Sequence, residues 1–271
     1  MKRYSIFHPL VLSFFSKSLY RDVGKNWRGT GLLYLFIILA LLWIPTVIKG
    51  HLGLAAWVDG DSKEITKQIP AITITKGQVS TDVTTPHVIK DPKTGEDIAI
   101  IDTTGTYQNL DNTDAKILLT KSTVIVRKNA TQSQTYDISG VQSFYLDHSK
   151  VDGWLGTART WFIPVLYPLA LIFSFILRAI QILIYAVVGL AFARMLNANL
   201  DFKTLMRLAA IAITPVLVLN LIFEFVPGRI PWWSILGIIV ALAYLFFAVK
   251  VNAEPEEAPQ YQPPNAYPSA Q

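Results

Sequence analysis

The chain has 271 residues, of which 52% are hydrophobic and 16% are charged. Together with a mean hydropathy of +0.38, this composition is typical of a polytopic membrane protein with room for one modest soluble domain. The chain contains no cysteine, which excludes disulfides, thiolate metal sites and a cysteine nucleophile.

The net charge of +5 is concentrated near the N-terminus. Residues 49–160 are nearly balanced, with twelve Lys and Arg against thirteen Asp and Glu. The first thirty residues contain one acidic residue, Asp22, and six basic ones: Lys2, Arg3, Lys17, Arg21, Lys25 and Arg28. Basic residues before an apolar span mark the cytoplasmic side and suit an anionic lipid surface. We therefore expect these six side chains to contact the membrane surface, and we expect no nucleic-acid partner.

Residues 1–30 predict a cytoplasmic amphipathic segment. Its apolar residues recur at helical spacing, which predicts an amphipathic helix lying in the headgroup region of the lipid bilayer. They are Phe7, Leu10, Val11, Phe14, Phe15 and Leu19. Residues 31–48 are apolar enough for a first transmembrane helix, with Trp27 and Trp43 near its two ends. The segment that follows is therefore expected outside the cytoplasm.

Residues 49–158 differ in composition and predict a β-rich extracytoplasmic domain. Short runs of β-branched residues alternate with turn-forming residues, as in small β domains. The predicted strands are Ile69–Thr75, Ile98–Asp102, Lys116–Lys121 and Thr123–Lys128. The segment Asp91–Asp97, with Pro92 and Gly95, predicts a hairpin connection.

The segment Asp102–Thr106 has the sequence DTTGT and resembles the phosphorylated-aspartate loop of P-type ATPases and related phosphatases. It lacks the lysine that this loop carries at its second position, and the predicted topology places it away from ATP. A strand end followed by a turn explains the same residues. We therefore expect no catalytic role for them.

Residues 159–196 form the longest apolar stretch, and its interior carries one charge, Arg178. A single helix of this length extends well beyond a hydrocarbon core of about 30 Å, so one long tilted span and two short spans are both candidates. Three basic residues at and after its end favour a cytoplasmic connection over residues 197–206, and hence one crossing. They are Arg194, Lys203 and Arg207. Because no turn-forming residue surrounds Arg178, we predict one long transmembrane helix.

The remaining chain predicts two further spans and a tail. Transmembrane helices at residues 207–226 and 232–250 are joined by a short outer loop at residues 227–231. Residues 251–271 are rich in Pro and Gln without apolar periodicity, which predicts a disordered cytoplasmic tail. Both termini are then cytoplasmic, and the expected location is the cytoplasmic (inner) membrane, crossed several times.

The predicted fold class is a polytopic α-helical membrane protein with four transmembrane helices and an inserted β-rich extracytoplasmic domain. Several stretches resemble the bacterial family called domain of unknown function 1189, up to about residue 250. They are SFFSKSLYRDVGKNWRGTGLLYLFIILALLWIP, IPAITITKGQVST, IAIIDTTGT and LYPLALIFSFILRAIQILIYAVVGLAFA. The resemblance is specific to the family but implies no particular activity.

The segment from Phe202 to Lys250 is more distantly similar to the C-terminal half of the Yip-type membrane superfamily. The similarity consists of a basic entry, FKTLMRLAA, Pro215 within the span, a short connection and a last span. Yip-type proteins of eukaryotes are associated with vesicle trafficking and commonly have five spans, whereas four are predicted here. The similarity therefore implies a related fold and no shared activity.

Polar residues inside the predicted spans are the main candidates for a functional site. Gln181 follows Arg178 at i+3, and Asn220 and Glu224 share one face of the next span. A charge at the bilayer centre costs about 2.5 to 3.5 kcal/mol on insertion scales, so it usually faces a partner or a water-filled cavity. We expect these four side chains to form an intramembrane polar cluster. Three interpretations stay open: the cluster locks helix packing, Arg178 extends to an interface, or the cluster binds a ligand or transported substrate.

Small residues on the long span suggest close helix packing. Ala186, Gly189 and Ala193 form a strip that permits close approach of a neighbouring helix or of a second copy of the chain. A homo-oligomer is therefore one expectation.

The sequence contains no convergent catalytic constellation, metal-ligand spacing or phosphate-binding loop. We therefore expect no enzyme, no cofactor and no metal. The leading hypothesis is a non-enzymatic scaffold, assembly or envelope-homeostasis factor that presents its β-rich domain to a membrane or envelope protein partner. The alternative is a transporter or lipid-handling protein that uses the intramembrane polar cluster.

Overall fold

The computed structural model describes residues 2–226, 228 and 230–254. The chain divides into two compact units: Val47–Tyr167, and the two segments that flank it in sequence. Of the predicted tail, residues 255–271 lie outside the described part. Residues 251–253 are helical, because the last helix continues to Ala253.

The helices in chain order are α1 (Pro9–Leu12), α2 (Lys17–Asn26), α3 (Leu32–Asp59), α4 (Asp61–Thr66), α5 (His148–Met195), α6 (Phe202–Ala212), α7 (Thr214–Phe225) and α8 (Trp233–Ala253). Within the described part of the chain, four helical segments are long and apolar enough to cross a membrane. They are Leu32–Thr66, His148–Met195, Phe202–Phe225 and Trp233–Ala253. The number of candidate spans therefore agrees with the sequence prediction.

Two helices extend beyond the predicted spans at residues 31–48 and 159–196. α3 continues to Asp59, where Gly60 separates it from α4, and α5 begins at His148. Residues 49–59 contain no proline and few turn-forming residues, so nothing in this segment ends the helix before Gly60. The Val47–Tyr167 unit consequently contains helix ends as well as strands.

The N-terminal segment forms two short helices, so the prediction of one amphipathic helix over its apolar residues was wrong. The helices are separated at Ser13–Ser16, because the Ser16 hydroxyl accepts a hydrogen bond from the Leu19 amide and caps α2. The Tyr20 hydroxyl donates a hydrogen bond to the Ser13 carbonyl over 2.7 Å. Leu19 is fully buried, whereas Val11 is 64% exposed, so the two ends of the apolar pattern have different environments.

The two segments that flank Val47–Tyr167 make up the helical unit, in which α2, α6 and α8 form a buried core. α2 packs against both α6 and α8, and side chains from all three helices are fully buried there: Leu19, Tyr20, Val23, Leu205, Leu208, Ala209, Leu245, Ala248 and Val249. Asn252 donates to the Tyr20 carbonyl over 3.0 Å. Such enclosed apolar packing fixes α2 against the two longer segments.

The segment Phe202–Phe225 is interrupted between α6 and α7. Pro215 lies in the first turn of α7 and cannot donate a backbone hydrogen bond to the preceding turn. The buried Thr214 hydroxyl bonds the Ala210 carbonyl over 3.2 Å and also lies 2.7 Å from the Tyr34 hydroxyl of α3. These contacts give the polar groups beside the break hydrogen-bond partners, so the interruption between α6 and α7 can lie inside the packed helices.

The Val47–Tyr167 unit contains two sheets and is called the β unit below. The strands are β1 (Ile72–Thr75), β2 (Gln78–Thr81), β3 (His87–Lys90), β4 (Asp97–Asp102), β5 (Ile117–Thr120), β6 (Thr123–Asn129), β7 (Gln132–Asp137) and β8 (Ser143–Leu146). One sheet has the order β2-β1-β8 and the other β3-β4-β5-β6-β7. β4 and β5 are parallel, and the other pairs are antiparallel. The four predicted strands and the hairpin between β3 and β4 are confirmed.

Strand β4 of the five-stranded sheet is buried on both faces. Consecutive residues of β4 point to opposite faces, and Ile101 joins a core with Ile72 and Ile74 of the other sheet. Ile100 packs with Leu110, Ala115, Leu118 and Ile125 on the opposite face. The segment between β4 and β5, which carries Leu110 and Ala115, therefore covers the face on which Ile100 lies.

Candidate functional site

A chain of hydrogen bonds runs along one face of α5 and begins at Arg178. Arg178 Nη1 donates to Gln181 Oε1 over 2.5 Å, and Gln181 Nε2 donates to the Tyr185 hydroxyl over 2.8 Å. The spacings of three and four residues place successive side chains on the same helix face. The predicted proximity of Arg178 and Gln181 is therefore confirmed.

The other two members of the predicted cluster have different hydrogen-bond partners. Asn220 Oδ1 accepts a hydrogen bond from Trp233 Nε1 of α8, and Glu224 Oε2 accepts one from the Thr46 hydroxyl of α3 over 2.7 Å. In the described part of the chain, no carboxylate forms an ion pair with Arg178. Asn220 and Glu224 thus hydrogen-bond donors on α8 and α3 rather than Arg178.

The four residues of the predicted cluster line two cavities. Only Arg178 and Gln181 among them are joined by a described hydrogen bond. The first, of about 160 Å³, lies among α3, α5 and α7 and is lined by Leu39, Leu42, Trp43, Thr46, Ser174, Arg178, Leu217, Asn220, Leu221 and Glu224. The second, of about 270 Å³, lies among α5, α7 and α8 and is lined by Arg178, Gln181, Ile213, Val216, Asn220, Trp233, Ser234, Gly237, Ile238 and Ala241. Arg178 and Asn220 line both cavities, so they stand between the two.

The family of the chain follows from its match to a family model. Residues 7–249 match the family described as Protein of unknown function (DUF1189). The chain belongs to this family. No curated protein and no solved structure matches it, and the similarity to Yip-type proteins stays a prediction.

The DUF1189 match includes all four residues of the predicted cluster and the N-terminal helices, but not Lys2 and Arg3. Of the six predicted membrane-surface residues, five have exposed side chains: Lys2, Arg3, Lys17, Lys25 and Arg28. Arg21 is half-buried and donates to the Val251 carbonyl of α8 over 3.5 Å. Five of the six side chains are therefore accessible, Arg21 packs against α8, and contact of these residues with the membrane surface stays a prediction.

Asp22 organises the N-terminal segment of this DUF1189 protein, a role that the sequence analysis missed. It is 5% exposed and accepts hydrogen bonds from the Arg3 and Tyr4 amides, the Asn26 amide group and the Trp27 indole. Burial opposes ionisation of Asp22, but these bonds outweigh it and lower the pKa of the carboxyl group. The signal in the sequence was a lone acidic residue among six basic ones.

The small-residue strip of α5 faces a helix of the same chain. Ala186, Gly189 and Ala193 are buried, and a Cβ atom built on Gly189 would lie 3.2 Å from Leu205 Cδ2 of α6. The predicted close approach is therefore made by α6. This strip is accordingly occupied within the chain and supplies no evidence for a second copy.

Asp102, the first residue of the DTTGT segment, ends β4 and caps the turn that follows. Its Oδ1 accepts from the Thr104 amide and hydroxyl over 2.8 and 2.6 Å, and its Oδ2 accepts from the Tyr107 amide over 2.6 Å. The side chain is fully buried. This geometry matches the interpretation of the segment as a strand end and a turn.

Proposed function

We propose that this DUF1189 protein is a non-enzymatic integral membrane protein that presents a β-rich domain outside the cytoplasmic membrane as a scaffold, assembly or envelope-homeostasis factor. The observation that carries the proposal is a β unit with two sheets and two apolar cores, inserted between candidate membrane spans. A domain of this size in a small membrane protein suits recognition of another envelope protein.

The charge distribution supports the proposed orientation. Exposed basic residues cluster before α3, and Arg194, Lys203 and Arg207 lie around the connection between α5 and α6. Basic residues near the ends of spans favour the cytoplasmic side. With four crossings, both segments are cytoplasmic, the β unit is outside, and the described C-terminal end of α8 is cytoplasmic.

The β unit offers β7 as a contact strand for a partner. β7 is at the edge of its sheet, pairing with β6 on one side, and Tyr136 on it is 48% exposed. Edge strands present backbone groups that a partner chain can pair with. Aromatic side chains are also enriched at protein interfaces, so we place the partner contact at β7.

A photo-crosslinking amino acid in place of Tyr136 tests this contact in the full-length protein in cells. We expect one adduct of defined mass with another envelope protein. The same amino acid in place of Thr94, exposed in the β3–β4 connection, is the matched control and is expected to give no such adduct. Recovery of the uncrosslinked chain alone from both positions would contradict the scaffold proposal.

A second candidate function is lipid handling or transport. The specific observation in its favour is the pair of cavities that meet at Arg178 and Asn220. We further propose that the segment Phe202–Lys250 shares its fold, but not its activity, with Yip-type proteins.

A further inference from the structure

We propose that the cavity among α5, α7 and α8 binds the phosphate group of an anionic lipid, with Arg178 as its charge partner. This inference rests on the second candidate function and names its ligand class. The cavity of about 270 Å³ is lined by residues of all three helices. A dry cavity of about 150 Å³ already holds a molecule the size of benzene, so the space accommodates a phosphate group.

Arg178 supplies the charge. A guanidinium group stays protonated in proteins and has five N–H donors, of which the structure assigns one to Gln181. No carboxylate pairs with it in the described part of the chain. Arg178 is half-buried and lines both cavities, so its remaining donors are within reach of a group bound there. An oxyanion would both neutralise the charge and accept these donors.

Two further residues add hydrogen-bonding groups to the same cavity. The Oδ1 atom of Asn220 is occupied by Trp233, which leaves the amide Nδ2 as the donor that Asn220 offers. Ser234 lines the cavity from the first turn of α8. A phosphate group accepts several hydrogen bonds at once, so donors from different helices suit it better than a single charge does.

The position of Glu224 indicates which of the two cavities an anion would occupy. Glu224 lines the smaller cavity, together with Arg178, and a carboxylate there would repel an anion. The described residues that line the larger cavity include no acidic side chain. The anion therefore belongs in the larger cavity, on the α8 side of Arg178.

The walls of the larger cavity suit the apolar part of a lipid. Val216, Ile238 and Ala241 line it together with Gly237, where a Cβ atom would lie 3.2 Å from Val216 Cγ1, so α8 passes close to α7 at this point. Ile238 is 48% exposed and its neighbour Ile239 57% exposed, so this side of α8 faces outward from the helical unit. In the proposed membrane orientation, a lipid reaches the cavity sideways from the bilayer.

Native mass spectrometry of the purified full-length protein tests the site. The protein is exchanged into detergent and titrated with phosphatidylglycerol, with phosphatidylcholine, and with inorganic phosphate as a competitor. We expect one phosphatidylglycerol bound per chain, at least tenfold preference over phosphatidylcholine, and at least tenfold weaker binding to Arg178→Gln. Arg194→Gln removes an exposed charge from the same helix and is expected to bind as the unaltered protein does.

Ser234→Ala is the second variant, because it removes a hydrogen-bond donor from the cavity without adding volume or removing a charge, and it is also expected to bind more weakly. Competition by inorganic phosphate identifies the oxyanion as the recognised group, and lack of competition shows that the acyl chains are required as well. Equal lipid binding by Arg178→Gln, Ser234→Ala and Arg194→Gln overturns the site. That failure leaves the membrane orientation and the role of the β unit untouched, since neither depends on the cavity.

Discussion

Asp102→Ala is expected to destabilise the β unit by about 3 kcal/mol. The substitution removes the hydrogen bonds from the Thr104 and Tyr107 amides to a fully buried carboxylate, and a hydrogen bond to a charged group contributes about 1.5 to 3 kcal/mol. The affected segment carries Leu110 and Ala115, which cover Ile100 and Leu118. Hydrogen exchange of the full-length protein should therefore show faster exchange in β4, β5 and the segment between them.

A matched control for Asp102 is Asp137→Ala. The Asp137 carboxylate accepts hydrogen bonds from the Ser139 amide and hydroxyl, both over 2.8 Å, so it caps a similar turn. Because Asp137 is exposed, water replaces the lost acceptor, and we expect hydrogen exchange in the β unit to change little. Equal protection of β4 and β5 in Asp102→Ala and Asp137→Ala would contradict the assigned role of Asp102.

Acid should reproduce part of the Asp102→Ala effect. Burial opposes ionisation of Asp102, but hydrogen bonds from Thr104 and Tyr107 outweigh it and lower the pKa of the carboxyl group. A group with a lowered folded-state pKa stabilises the protein fully above its unfolded-state pKa, and this contribution is lost as the pH falls through the folded-state value. The acid loss of protection around β4 should therefore be smaller in Asp102→Ala than in the unaltered protein.

Gly189→Leu is expected to destabilise the helical unit by about 2 kcal/mol, within the usual range for overpacking. Gly189 faces Leu205, which is fully buried, so a leucine side chain has no space unless α5 and α6 move apart. The expected result is a lower midpoint of thermal unfolding in detergent, measured by loss of the monodisperse peak in size-exclusion chromatography.

Two companion variants distinguish lack of space from other effects at Gly189. Gly189→Ala places one methyl group 3.2 Å from the flexible end of Leu205 and should change the midpoint much less. Leu205→Ala combined with Gly189→Leu makes space for the new side chain and should recover part of the loss. If the double variant is as unstable as the sum of the two single variants, the two side chains do not share this contact.

Local patterns predicted the helices and the central strands well. The segments at β1, β4, β5 and β6 are rich in β-branched residues and were recognised. The strands β2, β3, β7 and β8 were missed because all four lie at sheet edges and have mixed polar composition. The parallel pairing of β4 and β5 depends on tertiary contacts across an intervening segment, which sequence periodicity does not encode.

The candidate site shows the same limit of local reasoning. The contact between Arg178 and Gln181 follows from their spacing on one helix. The partners of Asn220 and Glu224 depend on the rotation of α7 against α3 and α8, and they include Trp233 and Thr46, respectively. The role of Asp22 depends on backbone amides from a distant part of the chain, which residue types do not reveal.

Cysteine accessibility tests the proposed membrane orientation most directly, because the chain has no native cysteine. Single substitutions Gln132→Cys, at the start of β7, and Asn199→Cys, between α5 and α6, place thiols at two exposed positions. With a membrane-impermeant maleimide, we predict that Gln132→Cys is labelled in cells with an intact cytoplasmic membrane and that Asn199→Cys is labelled after permeabilisation alone. Labelling of Asn199→Cys in the intact cells, or protection of Gln132→Cys there, would contradict the proposed orientation.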